Sequence, residues 1–229
     1  MDSGPKIAQI ASLVGDPARA NMLAALINGC TLTASELAYV ARVSPQTASG
    51  HLAKLDDAGL LLVQKQGRRR YFRLASPLVA HMLEGIMLVA QDGPARQSSE
   101  WRGGEALRNA RTCYDHLAGR IAVRIADCLI QRSHVVLDDD GGTVTEAGLA
   151  FLEGAGIDLS FGSKRRVFCR PCLDWSERRP HLAGIVGAAL LNHALVRDWV
   201  RRVQDSRALS ITPAGRRGFF ETYGIELGA

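Results

Sequence analysis

Two dipeptides, Asp16-Pro17 and Ser44-Pro45, constrain this chain more than any other feature. In each, a side-chain oxygen suited to an N-cap precedes a proline at the first helical position, where a missing N–H is no loss. Thr33, with Glu36 three residues on, has the spacing of a capping box and sets a third helix start. Between these starts the apolar residues recur at helical intervals. Ile7, Ile10, Ala11, Leu13 and Val14 give a short first helix. Ala20, Leu23, Ala24 and Ile27 stripe the second, which Gly29 ends. Leu37, Ala38, Val40 and Ala41 supply the inner face of the third, and Ala48, Leu52 and Leu55 that of the fourth, which Gly59 ends. Leu60 to Gln66 and Arg69 to Leu74 then read as two strands around Gly67-Arg68, a hairpin. Ser76-Pro77 opens a further helix to about Val89.

Charge adds a function to this pattern. The net charge of +5 is mildly basic and compatible with nucleic acid. Residues 1–92 carry 9 basic and 7 acidic side chains, yet Gln64 to Arg73 holds Lys65, Arg68, Arg69, Arg70 and Arg73 with no acid. A charge run alone is often just a solvated face. Behind a tight pair of helices it completes a winged helix-turn-helix. The fourth helix presents Gln46, Thr47, Ser49 and His51, small enough for a major groove and able to hydrogen-bond base edges. The hairpin arginines neutralise phosphates beside it.

The segments GDPAR (from Gly15), LTASELA (from Leu32), SPQTASGHLAKLDDAGLL (from Ser44) and QGRRRYFRLA (from Gln66) together resemble the ArsR/SmtB-type bacterial transcriptional repressors over residues 7–92. The resemblance implies a homodimer joined through the first helix and the helix after the wing. It also implies double-stranded operator DNA as partner, with one recognition helix per half-site. Carried over by position, Ser44, Gln46, Thr47, Ser49 and His51 face DNA; Lys54 and, in the wing, Arg68, Arg69, Arg70 and Tyr71 complete the expected DNA-binding residues. Gly50 departs from the family, which usually has a long polar or basic residue there. Metal-sensing members often carry a cysteine pair in the third helix; here Cys30 precedes that helix alone.

The chain continues for over a hundred residues beyond that segment. Gln91 to Gly104, rich in Gly, Pro and Ser, reads as a linker. The expected domains are 1–92 for DNA binding and dimerisation, 93–104 as linker, and 105–229 as an effector-sensing domain in two copies, 105–163 and 164–229. A long helix is expected from Glu105 to about Gln131 and another from about Pro180 to Val203. Each contains His-Leu-Ala-Gly, at His116–Gly119 and His181–Gly184, and each precedes a strand and a Thr-x-x-Gly helix start, at Thr145 and Thr212. Gly119 and Gly184 are expected to allow close helix approach. The fold class is mainly α with small β: a winged helix-turn-helix followed by a pseudo-duplicated helix-strand-helix domain.

Between the copies, Cys169 and Cys172 form a C-x2-C read at a strand-to-helix junction, with Ser176 capping the helix. Cys113 and His116 sit three apart on the first long helix. These four are the candidate metal or thiol-sensing residues. Cys113, Cys169 and Cys172 together would suit a soft metal or metalloid ion. Asp174, Trp175, Glu177 and Arg178 are candidates for an organic-effector pocket.

Hydrophobic residues at 47% and charged residues at 22% exclude a disordered chain. No apolar run reaches the ~20 residues of a membrane span. Five scattered cysteines argue for a reducing cytoplasm and against a secreted disulfide scaffold. The reading is therefore a DNA-binding regulator, a repressor released by an unidentified effector, and not an enzyme. A thiol-redox enzyme built on Cys169 and Cys172 lacks a surrounding thioredoxin-like pattern. A protein-interaction winged helix has no use for the arginine run.

Overall fold

The computed structural model describes residues 4–67, 69–90, 104–138, 141–160 and 167–227. The chain divides into two compact units, within 1–103 and 104–229. The expected linker at 93–104 lies almost wholly outside the described residues.

The first unit is a winged helix-turn-helix: α1 (Gly4–Val14), α2 (Pro17–Leu26), β1 (Leu32–Thr33), α3 (Ala34–Ala41), α4 (Pro45–Asp57), β2 (Leu61–Gln66), β3 (Arg69–Leu74) and α5 (Pro77–Ala90). Each cap holds as its residues demand. Asp16 Oδ1 accepts the Arg19 N–H at 2.9 Å. The Thr33 N–H donates to Glu36 at 2.8 Å while Thr33 Oγ1 accepts from the Glu36 N–H, closing both halves of the capping box. Ser44 Oγ accepts the Thr47 N–H at 3.1 Å. Arg42, in the left-handed region at φ 55°, ends α3 and turns the chain into α4. Met22, Leu23, Leu26, Leu37, Leu52 and Leu55 are excluded from solvent and clamp α2, α3 and α4 together. The hairpin gains a third strand, in the order β1-β3-β2, with Leu32 opposite Phe72 and Thr33 opposite Tyr71. A two-residue strand carries no alternation for a sequence to display.

The second unit overturns both long helices. The residues expected in the first form α6 (Gly104–Asn109), β4 (Arg111–Cys113), β5 (His116–Ala118) and α7 (Arg120–Gln131). The second divides into β9 (Pro180–Ala183), α9 (Gly184–Val196) and β10 (Val200–Arg202). Backbone conformation is the reason. Tyr114 (φ 55°) turns β4 into β5, while Gly119 (φ 91°) and Gly184 (φ 81°) stand where strand becomes helix. A Cβ at Gly119 would meet the Arg108 carbonyl oxygen at 2.8 Å, and one at Gly184 the Val167 oxygen at 2.6 Å. Both glycines therefore serve a strand-to-helix joint, not a helix–helix approach.

The remaining elements are β6 (Val135–Leu137), β7 (Gly142–Val144), α8 (Glu146–Gly154), β8 (Arg170–Leu173), β11 (Leu209–Ile211) and α10 (Pro213–Tyr223). Hairpin, helix, hairpin, helix thus runs twice, as β4-β5-α7-β6-β7-α8 and β8-β9-α9-β10-β11-α10. The two runs interlock: α7 lies on β9, α9 lies on β5, and β5 contacts β9. One core, including Ile125, Leu129, Val186, Leu190, Trp199 and Phe219, serves both. Thr145 and Thr212 cap α8 and α10 through the N–H groups of Gly148 and Gly215.

Candidate functional site

On the first unit, α4 points Gln46, Thr47, Ser49 and Lys54 into solvent while Ala48, Leu52 and Leu55 face the core. The helix pitch enforces this split. Ser44 and Thr47 hold each other hydroxyl to hydroxyl at 2.8 Å, and Ser49 Oγ donates to the Pro45 carbonyl at 2.9 Å. Gly50 is exposed, and a Cβ there would enter open space. His51 differs from the other candidates. It is half-buried, its Nδ1 3.3 Å from Arg19 Nη1 and 3.9 Å from Asp16 Oδ1, which ties α4 to the start of α2. Arg19 also donates to the Leu13 carbonyl at 2.7 Å and the Ser12 carbonyl at 2.9 Å, closing the end of α1. The Arg19 N–H, helped by the charges of Arg19 and His51, holds the Asp16 carboxyl below its ordinary value against the opposing effect of burial.

In the wing, Lys65 lies opposite Arg70 and Gln66 opposite Arg69, all exposed. Tyr71 is half-buried beside Gln64 and Thr33. Arg68 lies outside the described residues. A cleft of about 970 Å³ runs between α3–α4 and the hairpin, with Ser49, Lys65, Arg69 and Arg70 on its walls beside Asp56 and Asp57.

On the second unit, Cys113 and His116 face each other as cross-strand partners in β4-β5, and Cys172 and His181 do the same in β8-β9. All four are buried, and one ligand atom from each lies within 4.8 Å of all the others. His116 Nε2 stands 3.1 Å from His181 Nε2. Cys169 stands outside this group among the described residues. It precedes β8 and packs into the main core at 2% exposure, where burial pushes its thiol up to about 11. The C-x2-C therefore does not converge, because Cys172 belongs to a strand of a hairpin and no helix follows at Ser176. His181 was missing from the sequence-based ligands, although the repeated His-Leu-Ala-Gly carries it.

Of the candidate effector-pocket residues, Asp174 and Trp175 are buried, Glu177 is half-buried and Arg178 is exposed. Asp174 is fully buried and accepts from the Gly119 N–H at 2.7 Å, the Ser176 N–H at 3.0 Å and Arg111 Nη2 at 2.9 Å. Burial alone would raise its carboxyl; His181, Arg111 and the Gly119 N–H outweigh it and hold the group well below the usual carboxylate range. Arg111 in turn lies 4.8 Å over the buried Trp175 ring. Glu177 donates its N–H to Asp174 at 3.3 Å, and Arg178, at φ 56°, turns the chain toward β9.

The family described as "Helix-turn-helix domain" matches residues 14–64. The chain is 41% identical over 224 residues to an HTH-type transcriptional regulator, YdfF, of Bacillus subtilis (strain 168), covering 97% of this chain and 99% of that protein. It is 30% identical over 97 residues to the arsenic resistance transcriptional regulator ArsR1 of Pseudomonas putida, covering 42% of this chain and 72% of the relative. Among solved structures, reduced HlyU from Vibrio cholerae N16961 is 24% identical with a TM-score of 0.35, covering 38% of this chain and 90% of its own. The AntR antimony-specific transcriptional repressor is 26% identical with a TM-score of 0.34, covering 39% and 81%. Among the described residues no helix is long and apolar enough to cross a membrane. The capped helices, the wing and these relatives agree, and the chain belongs to the ArsR-type helix-turn-helix transcriptional regulators.

Proposed function

We propose that this regulator binds double-stranded operator DNA as a homodimer and that its second unit receives the effector signal that releases it. The observation that carries the DNA reading is the exposed polar face of α4 standing beside the exposed Lys65, Arg69 and Arg70 of the wing. In this reading Gln46, Thr47 and Ser49 meet base edges, Ser44 sits at the helix N-terminus against a phosphate, and Lys54 with the wing arginines, Arg68 included, neutralises the backbone. Tyr71 supports the wing from its half-buried position. His51 positions α4 against α2. The dimer follows from apolar residues left exposed on the outer helices: Ile7 on α1, and Leu78, Ile86 and Val89 on α5.

The second unit is read as the sensing part because its two runs of identical element order share one core, so a ligand that shifts one shifts the other. Internal duplication accounts for that order and for the repeated His-Leu-Ala-Gly and Thr-x-x-Gly. The P. putida relative's role in arsenic resistance supports an ion as the class of effector. Such a protein works in the cytoplasm, where the DNA is, and catalyses nothing.

Selection of duplexes from a randomised pool, followed by mobility-shift titration, tests this. Gln46→Ala and Thr47→Ala should each alter the selected sequence at one position, by about 1–3 kcal/mol per lost base contact. Unchanged preference in both variants refutes α4 as the reader.

A further inference from the structure

We infer that Cys113, His116, Cys172 and His181 form a closed tetrahedral site for a borderline divalent cation, with Zn(II) the best match. It deepens the sensing reading by naming a ligand class, but the site itself stands without that reading.

The chemistry is first a matter of donor type. Two thiols and two imidazoles are the donor set of a four-coordinate structural zinc centre. They arrive symmetrically: each hairpin contributes one sulfur and one nitrogen from directly opposed positions, Cys113 with His116 and Cys172 with His181. Ordinary Zn–N and Zn–S lengths place ligand atoms about 3.3–3.8 Å apart in a tetrahedron. The four atoms here lie within 4.8 Å of one another, the two Nε2 atoms at 3.1 Å, so adjustments of a few tenths of an ångström to about 1 Å suffice.

The surroundings fit as well. The two Nε2 atoms face each other and each Nδ1 faces a carboxylate: His181 Nδ1 is 3.2 Å from Asp174 Oδ2, and His116 Nδ1 is 3.6 Å from Asp115 Oδ1. A carboxylate behind the histidine is the usual outer arrangement of a zinc ligand, and a small shift that closes these contacts would leave Nε2 as the nitrogen free to bind. Charge also balances. On binding, the two thiols release two protons to solvent, and two thiolates cancel the 2+ ion. The centre is then neutral, as a site with every ligand under a tenth exposed requires. Four protein ligands leave no open position for a substrate. The ion would therefore pin hairpin β4-β5 to hairpin β8-β9. A three-thiolate metalloid site is disfavoured, because the third sulfur it needs, Cys169, lies in the main core.

The test uses the full chain, purified under reducing conditions. Elemental analysis should find one zinc per chain. After chelation, Co(II) should restore one equivalent with the visible bands of a tetrahedral centre and a near-ultraviolet thiolate charge-transfer band, both erased by Zn(II). Cys113→Ser and Cys172→Ser should each weaken cobalt binding at least 10-fold, while Cys169→Ser keeps full stoichiometry. A readout on the unaltered protein guards against variants that do not fold: zinc should slow alkylation of Cys113 and Cys172, and chelation should restore it. Absence of cobalt uptake by the reduced chain, uptake without the charge-transfer band, or uptake that survives both serine substitutions overturns the site. So does a Cys113–Cys172 disulfide whose reduction yields no cobalt binding. Operator affinity with and without Zn(II) is measured separately. A chain that binds one ion yet holds DNA equally in both states refutes the sensing reading and leaves the site standing.

Discussion

Arg111 Nη2 lies 2.9 Å from Asp174 Oδ2, with side-chain exposures of 1% and 0%. A buried pair of this kind contributes little net stability, yet losing one partner strands the other charge. Asp174→Asn should therefore destabilise the second unit by about 3–5 kcal/mol in denaturant titration. Arg111→Met with Asp174→Leu should recover a large part of that loss. A single variant as stable as the parent would show that Arg111 finds another partner.

Thr212 and Thr145 each cap a helix whose third residue is glycine. A Cβ at Gly215 would meet the Trp199 carbonyl oxygen at 2.0 Å, and one at Gly148 the His134 oxygen at 2.1 Å. Backbone cannot swing aside as a side chain can. Gly215→Ala and Gly148→Ala should each cost about 3 kcal/mol, the upper part of the overpacking range. Gly50→Ala, in open space, should leave melting unchanged or raise it. Equal melting temperatures for all three would contradict the close packing.

His193 supplies a pH dependence. Burial, and then the nearby Arg197, depress its pKa, although its ring nitrogen also contacts the Gly156 carbonyl at 3.1 Å. The unfolded chain then binds the proton more readily than the folded one, so stability is full above the unfolded value of about 6.5 and falls as pH drops through it. Denaturation midpoints at pH 7.5 and 5.5 should differ less in His193→Gln than in the parent. A pH response identical in both would assign the effect elsewhere.

The wing makes a prediction about salt. Alanine at Lys65, Arg69 and Arg70 should weaken binding to all duplexes alike. The slope of log affinity against log salt should fall by up to about 3, at roughly 0.9 per lost phosphate contact. An unchanged slope removes the wing from the phosphates.

Cys169, with its thiol near 11, should be almost inert to alkylation at pH 8, where about one molecule in a thousand is thiolate. Cys30, the one cysteine with intermediate exposure, should be labelled first by maleimide in a timed mass-spectrometric experiment. Rapid modification of Cys169 in the folded protein would contradict its burial.

The first unit was legible because its boundaries are local. Asp16, Thr33 and Ser44 declare helix starts within four residues, and the core stripes follow at a fixed period. The second unit misled because His116–Gly119 and His181–Gly184 sit in apolar stretches that satisfy helical spacing over more than twenty residues. The breaks there come from torsions at Tyr114, Gly119 and Gly184 that tertiary packing imposes. Pairing Cys113 with His116 rests on two neighbouring strands, so three-residue spacing on a helix was the wrong geometry for two residues that do meet. Cys172 meeting His181 depends on a turn from Asp174 to Arg179 that no periodicity announces. The repeated motif was visible, and it did contain the fourth member of the cluster.

The β4 strand and the residue before it make hydrogen bonds far along the chain: the Thr112 N–H donates to the Arg207 carbonyl at 2.9 Å, and the Leu209 N–H to the Ala110 carbonyl at 2.9 Å. During synthesis, therefore, the first half of the second unit waits until residues 207–209 have left the ribosome before these partners exist. The winged unit, whose buried core runs only from Met22 to Leu83, can finish folding while translation still proceeds. A premature stop anywhere between the two runs would then release a folded DNA-binding head with an unfinished, apolar tail.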